Sequence, residues 1–177
     1  QNLKKILQSK KLSTNVGDEG GFAPLINSNE EALDLVVQAI EKSKLKPGAD
    51  INICLDVAAN ELINKNGKYS LNSAEFISVD ESIAYYKNLV SRYPIKSIED
   101  PFAENDWNAW HKLTKEIGKK VQIVGDDLFV TNVKRLKRGI KEKSANSILI
   151  KVNQIGTLTE TLDVIDLAKK NNFSTII

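Results

Sequence analysis

Short β-branched runs alternate with amphipathic segments of helical period along this chain, and that alternation limits the available folds more than any other feature. INICLDV (51–57), IKSIE (95–99), VQIVG (121–125), SILIKV (147–152) and FSTII (173–177) have the length and composition of strands and are flanked by polar segments. Between them, DESIAYYKNLVSRY from Asp80, DWNAWHKLTKEIG ending at Gly118, TNVKRLKRGIKEK from Thr131 and TLTETLDVIDLAKKNN from Thr157 read as amphipathic helices. Asp80, Asp106, Thr131 and Thr157 are the expected N-caps and Gly118 an expected C-cap. An earlier helix, EEALDLVVQAIEKS, has Ser28 three residues before Glu31, the spacing of a capping box, with Leu33, Val36, Val37 and Ile40 on one stripe. NKNGK (64–68) reads as a turn inside the first crossover. Strands that alternate with helices pair in parallel βαβ units, so the expected class is α/β.

Composition excludes several function classes. At 177 residues, with 41% hydrophobic and 27% charged, the chain has the make-up of an ordinary soluble globular domain. Its 25 basic residues nearly balance 23 acidic ones, which leaves no electrostatic footprint for nucleic acid or anionic lipid. The basic stretch KRLKRGIKEK (134–143) keeps Leu136 and Ile140 in helical register with Val133, so its charges are expected on a solvated helix face. A lone cysteine, Cys54, cannot form an internal disulfide, and its apolar run places it in the expected core. No run reaches membrane-spanning length and QNLKKILQSKKLS lacks the features of a signal peptide, so a cytoplasmic location is expected.

Each strand carries an ionisable residue at the same place. Asp56, Glu99, Asp126 and Lys151 all fall at or just beyond carboxyl ends, and the last two intervals match one strand-plus-helix unit. In parallel barrels and open α/β sheets that edge holds the active site. Three converging carboxylates repel one another and need a counter-charge, which a divalent metal supplies. Oxygen-only ligands on strands suit Mg²⁺ or Mn²⁺, and no cysteine or histidine cluster points to zinc. In IKSIEDPF (95–102), Glu99 is then the inward ligand, while Asp100 and Pro101 turn the chain out of the strand. Asp127 is assigned a supporting position behind the ligands. The competing reading is that each acid caps a helix or pairs with a lysine.

Lys151 sits in an apolar stretch, where desolvation lowers an amine's pKa and makes it a candidate general base for a carbon acid. Proton removal beside a carboxylate gives a dianionic enediolate that needs cations on its oxygens. A purely structural lysine–carboxylate pair is the alternative. NVGDEGGFAP (15–24) is glycine-rich around Asp18 and Glu19, fitting either a plain tight turn or a loop that carries an acid to a substrate. It has neither the Walker nor the dinucleotide spacing.

Together NVGDEGGFAP, LDVAANE, SIEDPFAENDW, VGDDLFVTN and LIKVNQIGTLTET resemble enolase motifs, in family order, over 15–162. The resemblance implies a partial TIM-type (β/α) barrel, the central βα units of the enolase C-terminal domain, in a family whose early barrel strands depart from simple βα order. It implies that Asp56, Glu99 and Asp126 bind Mg²⁺, as is general for superfamily sites with a lysine or histidine base. It further implies that Lys151 removes the C2 proton of 2-phosphoglycerate and that Glu19 assists departure of the C3 hydroxyl, giving phosphoenolpyruvate. For the parent protein it implies a homodimer or higher homo-oligomer, and a cell-surface or secreted pool beside the cytoplasmic one. VGDDLFVTN and ANSILIK resemble bacterial forms of the family. Against the family pattern, the N-terminal domain, the opening barrel strands and the last strands are absent, as is a serine, histidine and arginine motif expected after Ile177. Little turnover and marginal stability are therefore expected of these 177 residues alone. His111 and the Trp107/Trp110 pair fall within a helix as packing residues. Other enolase-superfamily dehydratases, and non-catalytic use of the scaffold, are the alternative functions.

Overall fold

The structure is a computed structural model that describes residues 1–71 and 75–177. Five strands, β1 (Ile53–Asp56), β2 (Ile95–Glu99), β3 (Gln122–Gly125), β4 (Ser147–Leu149) and β5 (Ser174–Ile176), form one parallel sheet in sequential order. The helices are α1 (Asn2–Ser9), α2 (Asn29–Lys42), α3 (Val79–Arg92), α4 (Trp107–Ile117), α5 (Val133–Glu142), the single turn α6 (Val152–Ile155) and α7 (Leu158–Lys170). A 3-10 turn, Ala59–Leu62, follows β1. Among the described residues no helix is long and apolar enough to cross a membrane.

The core lies between the sheet and the helices that pack on it. Ile98 of β2, Ile123 of β3 and Ile148 of β4 are fully buried with Trp110 and Leu113 of α4 and Leu136 of α5. Trp110 also satisfies its ring N–H, which donates to the Ala103 carbonyl. Phe129 is wedged between Gly125 and Gly139: a Cβ on Gly125 would sit 2.5 Å from the ring, so the two glycines leave the space that the phenyl fills. A second cluster joins Ile6 and Leu7 of α1 to Leu35 of α2. His111 Nδ1–H donates to the Glu142 carbonyl at 2.6 Å, tying α4 to the end of α5.

Several local expectations need correction. The cap of α3 is Ser78, not Asp80: its hydroxyl accepts from Glu81 N–H while the Glu81 carboxylate accepts from Ser78 N–H, a complete capping box. The cap of α5 is Asn132, whose side chain accepts from Lys134 and Arg135 N–H. Thr131 is instead fully buried at φ 51°. Thr157 and Asp106 cap α7 and α4, accepting from Glu160 and Ala109 N–H, and Gly118 closes α4. Ser28 accepts from Glu31 N–H, but the Glu31 carboxylate turns to Asn27 N–H, so only half of a capping box forms. The basic face of α5 is not wholly solvated. Arg135 turns inward, donating to the Leu128 and Glu104 carbonyls at 2.5 and 2.6 Å, and Arg138 lies 4.2 Å over the Trp107 ring. Cys54 is exposed on β1, not in the core, because its side chain falls on the uncovered face between Ile53 and Leu55.

Candidate active site

Parallel pairing sets all five carboxyl ends on one edge, and Asp56, Glu99, Asp126 and Lys151 stand along it. Asp56, last in β1, is the register partner of Glu99, last in β2. Asp126 follows β3 directly, and Lys151 lies two residues beyond β4. Lys151 Nζ donates to Asp126 Oδ2 at 2.5 Å, and Gln154 Nε2, from α6, donates to Asp126 Oδ1 at 2.8 Å. Thr131 steadies this corner: its hydroxyl oxygen accepts from Lys151 N–H at 2.8 Å and lies 3.1 Å from Gln154 Oε1, to which it donates.

The titration of the acids reports their crowding. Burial, then the charges of Asp56, Asp126 and Asp100, push Glu99 up to about 7. Burial also raises Asp56, with Asp126 and Glu19 adding to it, while the Ala58 amide and Lys151 pull the other way. Glu19 therefore lies within electrostatic reach of Asp56. It stands exposed at the tip of a tight turn closed by the Val16–Phe22 bridge and by Gly17 N–H donating to the Gly21 carbonyl, with Gly20 at φ 80°.

Lys151 departs from its expected environment. The strand expected to run to 152 stops at Leu149, and Lys151 becomes the N-cap residue of α6 with its side chain 43% exposed. Its pKa is raised, not lowered, chiefly by the hydrogen bond to Asp126, which outweighs desolvation. It is the ammonium, held by a carboxylate, in this state.

Asp100 is the residue that sequence reasoning undervalued. It does turn the chain, at φ 41°, but its side chain is 4% exposed and bonded: Oδ1 accepts from Asp126 N–H at 3.0 Å and Oδ2 from Asp127 N–H at 2.9 Å. Carboxylate oxygens of Asp100, Asp126 and Asp127 lie within 4.8 Å of one another, so this trio is a rival set of metal ligands. Its chemistry argues against it. Both Asp100 oxygens are engaged by backbone amides, and Asp127 Oδ2 accepts from Asn60 Nδ2 at 2.8 Å. Among the described residues Asp56 accepts one bond, from the Ala58 amide at 3.2 Å, neither oxygen being clamped as in Asp100, and Glu99 lies within electrostatic reach of both Asp56 and Asp126.

Residues 1–177 match the family profile described as "Enolase, C-terminal TIM barrel domain". The chain belongs to the enolase family. An enolase of Pelagibacter ubique (strain HTCC1062) is 62% identical over 176 residues, covering 99% of this chain and 42% of that protein. The chain thus spans less than half the length of this curated relative. Its sequential parallel sheet is a run of strands from the enolase barrel, a partial barrel as expected. Beside the expected site residues, this enolase domain engages Asn60, Asp100, Thr131 and Gln154. Only Gln154 left a signal in the sequence: it lies three positions after Lys151, the same face if a helix begins there, and Gly156 follows as a terminator at φ 96°.

Proposed function

We propose that this chain carries the metal-binding acids and the proton-abstracting amine of an enolase, the lyase that dehydrates 2-phosphoglycerate to phosphoenolpyruvate. The observation that supports it most is that Asp56, Glu99 and Asp126 stand at one sheet edge within electrostatic reach of one another, with Lys151 bonded to Asp126. The acids fit a divalent cation: they are oxygen donors, three in number, and burial, then the charges of Asp56 and Asp126, raise Glu99 to about 7, an effect that a bound cation opposes. Asp56, Glu99 and Asp126 would hold Mg²⁺, which when bound supplies positive charge to the carboxylate oxygens of the substrate.

The chain's own residues account for the proton movements. Lys151 Nζ is poised beside Asp126 and accepts the C2 proton of 2-phosphoglycerate once that partnership is released and the amine has given up its own proton. Gln154 and Thr131 keep the amine's backbone and the Asp126 carboxylate in fixed relation. Glu19, on its exposed turn, offers a carboxyl group to the departing C3 hydroxyl.

The test is dehydration of 2-phosphoglycerate with Mg²⁺, followed by the absorbance of phosphoenolpyruvate. The 177 residues assayed alone turn over little. Joined to the remaining segments of an enolase they are active, and Lys151→Ala in that protein lowers kcat by about 10²- to 10⁴-fold. Full activity of the Lys151→Ala protein refutes the proposal.

A further inference from the structure

We propose that Asp100 is a positioning residue that fixes the direction in which Asp126 is offered to a divalent cation, by gripping two consecutive backbone amides of the β3–α5 turn. This rests on the metal reading above. Asp100 accepts Asp126 N–H on one oxygen and Asp127 N–H on the other, at 3.0 and 2.9 Å. Its backbone is engaged as well: its N–H donates to the Val124 carbonyl at 3.0 Å, and its carbonyl accepts from Ala59 N–H at 3.1 Å. One residue therefore ties together the ends of β1, β2 and β3, the three strands that deliver the acids.

The arrangement carries two costs that a plain turn would avoid. Asp100 takes a left-handed φ of 41°, sparsely populated by side chains other than glycine, asparagine and aspartate. It also buries a carboxyl group to 4% exposure, which is tolerable only because two amides aimed at its oxygens replace water. The peptide planes on either side of Asp126 set where its Cβ points, so a carboxylate that pins this amide and the next fixes the direction from which the side chain starts. The side chain's own contacts, Lys151 and Gln154, both come from the other side of the site. Partners behind a metal ligand tune metal affinity by about 10- to 100-fold.

Calorimetric titration of Mg²⁺ into the 177 residues joined to the remaining segments of an enolase tests the assignment, with wild type, Asp126→Asn, Asp100→Asn and the stability control Leu113→Ala, a buried α4 residue away from the site. Wild type takes up Mg²⁺ and Asp126→Asn loses it. Asp100→Asn, whose amide nitrogen cannot accept the second N–H, binds about 10- to 100-fold more weakly and shifts the Asp126 and Asp127 amide proton resonances upfield. Leu113→Ala is less stable yet keeps wild-type affinity. Wild-type affinity in Asp100→Asn overturns the positioning role alone, as does an equal loss in Leu113→Ala. No uptake by wild type overturns the metal reading, and this one with it. If Asp100→Asn does not melt cooperatively, hydrogen exchange of the wild-type chain in chelator decides. Slow exchange of both amides supports the grip, and exchange as fast as that of the exposed Asp18 amide refutes it.

Discussion

Phe129 is held at its place by two residues that have no side chain. Gly139→Ala pushes a methyl group into the ring and overpacks α5 against β3; the expected loss is about 1–3 kcal/mol by urea denaturation, against a gain of about 1 kcal/mol in helix propensity. A Gly139→Ala chain more stable than wild type contradicts this packing. At this scale the sequence was legible in placing Asp56, Glu99 and Asp126 at strand ends, and illegible where a contact depends on an aim. Asp100 spends its carboxylate on backbone amides 26 and 27 residues further on, and no local pattern announces such a bond. The apolar run SILIK suggested a desolvated amine, but Lys151 stands past the strand's end, where a carboxylate reaches it first.

Among the elements, the helices show how capping chemistry decides boundaries. SVDE offers both Ser78 and Asp80 as caps of α3, and the reciprocal bond to Glu81 selects the serine. The Ser78 hydroxyl and amide hold Glu81 below its ordinary value of 4.5. A carboxylate with a depressed folded pKa contributes stability that is present above its unfolded pKa and is lost as pH falls through the folded one. The stability gap between wild type and Glu81→Ala, followed by thermal melting, therefore narrows as pH drops below 4.5. A gap that widens there rules the capping box out. Asn132→Ala, which strips two amides at the start of α5, costs about 1 kcal/mol in the same measurement. Thr131 looked the better cap from sequence alone, yet it is drawn into the site by the Lys151 amide, a tertiary demand that overrides local preference.

For the whole molecule, the sheet's sequential order and the common edge of its acids followed from the strand–helix alternation, whereas the short α6 and the helix α1 did not, being too brief or too polar to stand out. If the acids hold Mg²⁺, saturating it at 100 times its dissociation constant adds about 2.7 kcal/mol, so the melting temperature rises with Mg²⁺ and falls back with chelator. An unchanged melting temperature counts against the metal. Among the described residues β1 and β5 each pair on one side of the sheet, and Leu158, Leu162 and Ile177 are exposed nearby in sequence to β5. Open edges and uncovered apolar side chains favour association, so light scattering should record a mass that climbs with concentration. Because each strand after β1 pairs with the one just before it, each of them leaves the ribosome with its partner already made. Sheet pairing can then run in step with synthesis, strand by strand.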